Sequence, residues 1–139
     1  MDISEKMLAQ AAKKIEKFGL KDVSLITQDA CNISFRDNTF DCVSAAYVAS
    51  VVPDANGLVG EMKRVCKPGG RIVFLNHFKS QNPLLARLEE LSNGMWNKMG
   101  WNSNLDLWKL IEENDLRVER VEHVNIFGYW KGVLCVNDK

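Results

Sequence analysis

Four short stretches of this sequence set a polar or aromatic side chain where a strand gives way to a loop or helix: Asp2-Ile3, Asp29-Ala30, Ala46-Tyr47-Val48 and Asn76-His77. Ligands of an open parallel sheet collect beyond the carboxyl ends of its strands, so these residues are the ones to read for chemistry. A carboxylate at a strand-to-helix junction, as at Asp2, can accept both hydroxyls of a ribose. It can equally be a polar residue beside a helix start, where a negative charge is favoured. Asp29 can accept from the amino group of an adenine, or it can cap the loop that follows it. His77 can take or relay a proton near neutral pH, or it can be a buried histidine that satisfies the end of a strand. His77 and His123 are far apart with no ligand motif around them, so no metal centre is expected.

The elements that must position these residues follow from periodicity and punctuation. Ser4 precedes Met7, Leu8, Ala11, Ala12 and Ile15 at helical spacing, and Gly19 closes the pattern, which predicts a capped helix over Glu5 to Phe18. Val23 to Gln28 reads as a short buried strand ending at Asp29. Asp37-Asn38 reads as a turn and Phe40 to Tyr47 as a second strand, with small residues Ser44, Ala45 and Ala46 where a neighbour must approach closely. Pro53-Asp54 opens a helix striped with Leu58, Val59, Met62, Val65 and Cys66, and Lys67-Pro68-Gly69-Gly70 stops it. Arg71 to Asn76 is a third strand whose apolar run, Ile72 to Leu75, suits a sheet covered on both faces. Strand, helix and strand in short succession is the βαβ grammar of a parallel sheet.

Beyond His77 the pattern turns helical, from Pro83 to about Met99 and again from about Leu105 to Glu113. Leu116 to Val124 and Tyr129 to Val136 then read as an antiparallel pair joined through Gly128. The helix face made by Leu84, Leu85, Leu88, Leu91, Trp96 and Trp101, with Arg87 and Lys98 near it, suits either a lipid surface or packing on a sheet.

The chain has 139 residues, 46% of them hydrophobic, enough for one domain with a substantial core. Lys and Arg total 18 and Asp and Glu total 18, so no overall field favours nucleic acid, and there is no basic stripe. Cys31, Cys42, Cys66 and Cys135 form no CxxC pair, which fits free thiols in a reducing, cytoplasmic setting. No apolar run approaches the roughly 20 residues of a membrane-spanning helix, and Met1 to Lys6 lack the regions of a signal peptide; contact with a membrane would be peripheral.

The order and spacing of four segments carry a resemblance: Asp2-Ile3-Ser4-Glu5-Lys6-Met7-Leu8, Gln28-Asp29-Ala30, Phe35-Arg36-Asp37-Asn38-Thr39-Phe40-Asp41-Cys42-Val43 and Glu61-Met62-Lys63-Arg64-Val65-Cys66-Lys67-Pro68-Gly69-Gly70. Together they resemble class I S-adenosylmethionine-dependent methyltransferases across essentially the whole chain. A narrower likeness, to soluble bacterial phosphatidylethanolamine N-methyltransferases, rests on Ala46-Tyr47-Val48 with Val52-Pro53-Asp54, on Asn76-His77-Phe78 and on Met99-Gly100-Trp101. Asn102-Ser103-Asn104 departs from it.

The resemblance implies an α/β, Rossmann-like sheet closed by a C-terminal antiparallel strand pair, with S-adenosyl-L-methionine as cofactor and a small-molecule or lipid amine as methyl acceptor. It makes Asp2 the ribose acceptor, with Ile3 and Met7 near the adenine. Asp29 becomes the partner of the adenine amino group and Ala30 offers its backbone N–H to the ring. Tyr47 faces the methionine part of the cofactor or the acceptor and orients the amine, and His77 accepts or relays its proton. Asp41, at the start of its strand, is structural. The family's glycine-rich loop has no counterpart here, since only Met1 precedes Asp2 and no GxGxG occurs. Residues 1–139 are therefore expected to be a single partial methyltransferase domain without its first strand and loop, binding the cofactor weakly and leaving sheet edges open to self-association. A catalytically inactive module acting through protein–protein association is the alternative.

Overall fold

A computed structural model describes residues 1–77, 106–124 and 130–139. Its elements are α1 (Glu5–Phe18), β1 (Phe40–Ala46), α2 (Ala55–Val65), β2 (Cys66–His77), α3 (Leu107–Glu113), β3 (Arg117–His123) and β4 (Trp130–Val136). The four strands form one sheet in the order β1-β2-β4-β3. β1 runs parallel to β2, while β4 is antiparallel to both β2 and β3. This is the mixed α/β sheet expected from the sequence, with its closing antiparallel pair.

The helices start and stop where side chains can satisfy their free backbone groups. Ser4 Oγ accepts from the Met7 N–H at 3.4 Å, and Gly19, at φ 59, closes α1 by donating to the Glu16 carbonyl at 3.1 Å. Asp54 caps α2 through Gly57 N–H at 2.8 Å, and Asp106 caps α3 through Trp108 N–H at 2.9 Å.

Two expected boundaries shift. Val23 to Gln28 contributes only one parallel bridge, Asp2 to Thr27, and Val23 and Leu25 are exposed. A strand needs a ladder on at least one side to hold an extended backbone, and one bridge does not supply it. β2 begins at Cys66, five residues before the expected Arg71, because Cys66 pairs with Phe40; the next paired residue is Arg71, opposite Cys42. Residues 67–70 thus arch out between the two pairings, and the continuous ladder runs from Arg71 as the apolar pattern predicts. Gly70 is obligatory in that arch, since a Cβ there would lie 2.7 Å from Cys66 Sγ and 2.9 Å from the carbonyls of Asp41 and Lys67. The helix expected from Pro83 to Met99, its apolar face and the Gly128 loop lie outside the described residues.

The core lies between α2, α3 and one face of the sheet. Leu58, Val59 and Met62 from α2 and Leu110 from α3 pack on Ala45, Ile72, Phe74, Val133 and Cys135. The opposite face presents Val73, Leu75, Leu134 and Val136, all half-buried. No residue of α1 is buried.

Asn137, fully buried just past β4, ties the sheet to the end of α2. Its amide nitrogen donates to the carbonyls of Lys63 and Cys66 at 2.9 Å each and of Lys67 at 3.3 Å. Its backbone joins the 67–70 arch, with Gly69 N–H donating to Asn137 O at 2.7 Å and Asn137 N–H to Gly70 O at 2.9 Å. Burying carbonyls without donors costs roughly 1–3 kcal/mol per group. Asn137→Leu, similar in volume, is expected to destabilise the domain by about 2–3 kcal/mol, read from urea denaturation; a change near zero would show that water replaces the amide.

Candidate functional site

Two groups of residues gather at strand ends. The first surrounds the parallel bridge between Asp2 and Thr27, where Asp2 N–H donates to Ile26 O at 3.2 Å and Gln28 N–H donates to Asp2 O at 3.1 Å. This brings Asp2 and Asp29, 27 positions apart in sequence, to one end of the same bridge. Each carboxylate already does local work. Asp2 Oδ1 accepts from Ser4 N–H at 2.8 Å at the entry to α1, and Asp29 Oδ1 accepts from Cys31 N–H at 2.9 Å in the turn that follows. The capping roles weighed from the sequence are thus present, and a carboxylate with about four lone-pair sites keeps capacity beyond one such bond. Ile3 and Met7, 72% and 58% exposed, lay apolar surface beside Asp2, whereas Ala30 packs partly against the core.

The loop from Ala30 to Asn38 is held against α2 by one cationic hub. The Arg64 guanidinium donates to Ile33 O at 2.6 Å, to Phe35 O at 2.8 Å, to Asp37 Oδ1 at 2.8 Å and to Glu61 Oε1 at 2.7 Å. Glu61 Oε2 returns a bond by accepting from Ile33 N–H at 2.6 Å. A rigid guanidinium fork suits several fixed acceptors at once. The Arg64 hydrogen bond, together with that from Ile33, holds the Glu61 carboxyl below the usual carboxylate range. Asp41 is likewise lowered, by its hydrogen bond and charge interaction with Lys67 at 2.6 Å, which accords with a structural role at the start of β1.

The second group lies where β1 and β2 end and β4 begins. Tyr47 follows β1 and takes φ 64, a left-handed conformation that a bulky residue rarely adopts. Its N–H donates to Leu75 O at 2.8 Å, so the turn is fixed to β2. Its ring, on a residue 53% exposed, meets Trp130 edge to face at 5.0 Å between centroids and 80° between planes. Trp130 opens β4 in register with His77 at the end of β2. The sheet therefore brings Tyr47 and the His77 backbone position to one edge, as expected, and adds Trp130. The sequence signal for Trp130 was its place near the start of the expected last strand, Tyr129 to Val136, which becomes informative only once β4 is known to pair with β2.

The four thiols are free. Burial pushes Cys31, Cys66 and Cys135 up, the last to about 11, so these three are poor nucleophiles. A cavity of ≈ 230 Å³ lined by Val73, Arg120, Glu122, Gly132, Val133 and Leu134 opens on the sheet surface toward β3, among strand interiors rather than strand ends. Among the described residues no cluster of side chains could hold a metal ion, and no helix is long and apolar enough to cross a membrane.

A βαβ unit whose candidate polar residues collect beyond its strand ends, closed by an antiparallel pair, defines a Rossmann-like α/β protein with the ligand geometry of that class. A family profile described as a methyltransferase domain matches residues 1–74, and the chain belongs to that family. S-adenosyl-L-methionine is the cofactor of such domains. The chain is 40% identical over 123 residues to a phosphatidylethanolamine N-methyltransferase of Cereibacter sphaeroides, an alignment covering 88% of this chain and 60% of the relative. It is 43% identical over 75 residues to a demethylmenaquinone methyltransferase of Bacillus mycoides (strain KBAB4), covering 54% of this chain and 32% of that one. The chain thus spans about a third to three-fifths of the length of these relatives. Its fold is that of a SAM-dependent methyltransferase from Aquifex aeolicus, with a TM-score of 0.68 at 24% identity over 96% of this chain and 65% of that one. It also matches a methyltransferase from Methanosarcina mazei, with a TM-score of 0.72 at 17% identity over 97% and 79%.

Two outcomes test this geometry. Left-handed backbone costs a residue with a Cβ roughly 1–2 kcal/mol and glycine little. Both Tyr47→Gly and Tyr47→Ala lose the ring contact, so the glycine variant is expected to be the more stable by about 1 kcal/mol in urea denaturation; equal stability would mean that the turn is not held. The second concerns pH. Glu61 is lowered in the folded state, so its contribution is full above the ordinary glutamate value of about 4.3 and is lost as pH falls through the lower folded value. Glu61→Gln is expected to lower Tm by a few degrees at pH 7, with the gap to the parent chain narrowing below about pH 4.

Proposed function

We infer that this chain forms the nucleoside-binding and acceptor-facing part of an S-adenosylmethionine-dependent methyltransferase whose acceptor is a lipid amine such as phosphatidylethanolamine. The observation that carries the acceptor is the 40% identity to a phosphatidylethanolamine N-methyltransferase over 88% of the chain, against 54% for the demethylmenaquinone relative. Phospholipid methylation by a cytoplasmic protein in peripheral contact with the membrane follows from that reading.

The residues present suit the nucleoside half of the cofactor. Asp2 and Asp29 supply two carboxylates at one end of a parallel bridge, and Ile3 and Met7 supply exposed apolar surface beside them. In this reading Asp2 accepts the ribose hydroxyls, Asp29 accepts from the adenine amino group, Ala30 N–H meets the ring, and Ile3 and Met7 flank the base. Bound S-adenosyl-L-methionine supplies an electrophilic sulfonium methyl for direct displacement. Tyr47 orients the neutral amine in line with that methyl, since alignment provides much of the rate in such displacements. His77, at the end of β2, accepts or relays the proton that an ammonium must lose before it can attack.

A second reading has its own observation. β1 ends the strand order, its outer edge carries no ladder among the described residues, and no residue of α1 is buried. An unpaired edge and an amphipathic helix suit association with another chain, a second copy included.

Hydrogen bonds to a charged acceptor are worth about 1.5–3 kcal/mol each, and 1.4 kcal/mol is tenfold in affinity. In calorimetric titration of the full natural chain, Asp2→Ala is expected to weaken S-adenosyl-L-methionine binding at least tenfold, whereas unchanged affinity would remove Asp2 from the site. Methyl transfer to phosphatidylethanolamine vesicles, and none to demethylmenaquinone, is the expected acceptor profile; the reverse would reassign the acceptor.

A further inference from the structure

The outward face of α1 carries charge that the rest of the domain does not use. Leu8, Ala11 and Ile15 form its half-buried stripe, while Lys6, Lys13, Lys14 and Lys17 are all exposed. At about 100° per residue, Lys6, Lys13 and Lys17 fall within about 40° of one another, with Lys14 about 60° further round. The centre of this ridge points about 150° away from the half-buried stripe, and Glu5 and Glu16 lie on its flank, about 60–80° beyond Lys13. Several other cations are engaged: Arg64 with Asp37 and Glu61, Lys67 with Asp41, Lys109 with Glu113 and Arg120 with Glu122. None of the four ridge lysines makes an ion pair among the described residues.

Apolar surface sits beside that charge. Phe18, next around the helix from Lys14, is 65% exposed, and Leu20 is 51% exposed. Gly19 turns the chain, and Leu20 N–H donates to Ile15 O at 3.0 Å, which fixes Leu20 at the helix end. Lys17 Nζ stands 5.6 Å from the Phe18 ring centroid. An interfacial helix lays this combination on a bilayer, its apolar groups entering the headgroup boundary while its ammoniums meet anionic headgroups. A nucleic-acid backbone would take the lysines and leave Phe18 and Leu20 in water. The ridge also lacks the arginine fork that holds a phosphate through two bonds.

We propose that the ridge of Lys6, Lys13, Lys14 and Lys17, with Phe18 and Leu20 at its end, is the surface on which this chain docks to an anionic phospholipid bilayer. The choice of a bilayer rests on the lipid-amine reading above; the surface itself uses no residue given a role in the cofactor or acceptor site. α1 has 14 residues and so is about 21 Å long. Lying flat, it keeps Asp2, just ahead of its first turn, at headgroup level, so that a lipid amine reaches the strand-end edge without leaving the membrane.

The test is co-sedimentation of the full natural chain with vesicles of phosphatidylcholine, with and without phosphatidylglycerol, an anionic lipid that has no amine to methylate. The chain is expected to bind the anionic vesicles at least tenfold more tightly, and to lose that preference as salt shortens the screening length from about 10 Å at 0.1 M to about 3 Å at 1 M. Lys13→Glu with Lys17→Glu is expected to remove the preference, and Lys13→Gln with Lys17→Gln to reduce it several-fold. Phe18→Ser is expected to weaken binding several-fold without changing its salt dependence. On phosphatidylethanolamine dispersed in detergent the lysine variants are expected to turn over as the parent does, and to fall behind it only on anionic vesicles.

Equal binding to the two kinds of vesicle, or anionic binding by the Lys13→Glu, Lys17→Glu chain that matches the parent, overturns the proposal. Retention of duplex DNA without vesicle binding overturns it in favour of nucleic acid, and a parent dimer that the lysine substitutions dissolve overturns it in favour of a second copy. The lipid comparison needs no variant, so a misfolded substitution does not decide it. Methyl transfer to phosphatidylethanolamine without an anionic preference defeats this inference alone. An anionic preference that depends on Lys13 and Lys17, without methyl transfer to phosphatidylethanolamine, defeats the lipid-amine reading and leaves the surface.

Discussion

Arg64 governs how the loop that follows Asp29 sits on the rest of the domain. Its guanidinium gathers Ile33 O, Phe35 O, Asp37 and Glu61, and so nails the loop that leaves Asp29 onto the same helix that packs against the sheet. The same loop is also tied down by Ile33 N–H donating to Glu61 at 2.6 Å, by Asn38 and Thr39 N–H donating to the carbonyls of Arg64 and Val65, by a thiol bond from Cys31 to Asp54 O at 3.4 Å and by the partial packing of Ala30 and Cys31 on the core. A cation with several hydrogen-bonded acceptors is costly to break, because each partner it abandons is left polar and partly desolvated. The loop that follows Asp29 is therefore held to α2 largely by one arginine and its glutamate.

Much of the fold was legible because the physics was local. α1 matched from Glu5 to Phe18, since Ser4 and Gly19 mark its ends in the sequence and no tertiary contact overrides them. α2 and the β2 ladder were readable from a helical stripe giving way to the apolar run Ile72 to Leu75, with the 67–70 arch between them. The Val23–Gln28 segment was overread, because an apolar run specifies a strand only when a neighbouring backbone completes its hydrogen bonds. Sequence pattern carries no information about that neighbour.

The placement of the candidate residues was legible in proportion to how far it depends on strand ends. Tyr47 was found by terminating β1, although neither its left-handed turn nor its ring contact could be foreseen from residue types. Trp130 was not singled out because it begins a strand rather than ends one, and antiparallel pairing brings the start of β4 beside the end of β2. Arg64 and Glu61 were quoted as a motif without a role, since their partners at Ile33, Phe35 and Asp37 lie 27 to 31 positions away in sequence.

The interleaved strand order has a consequence for synthesis on the ribosome. β4 lies between β2 and β3, so β3 has no partner when it emerges, and the inner side of β2 stays open until a strand roughly fifty residues farther along is made. At about 5–20 residues per second that interval lasts several seconds, far longer than hairpin formation takes. Among the described residues nothing else pairs with that side of Ile72 to Leu75, and an apolar strand with an unpaired edge is prone to capture by other chains. Closure by β4 and by Asn137 behind it then arrives all at once, so cells that make this protein would be expected to rely on ribosome-associated chaperones during that window.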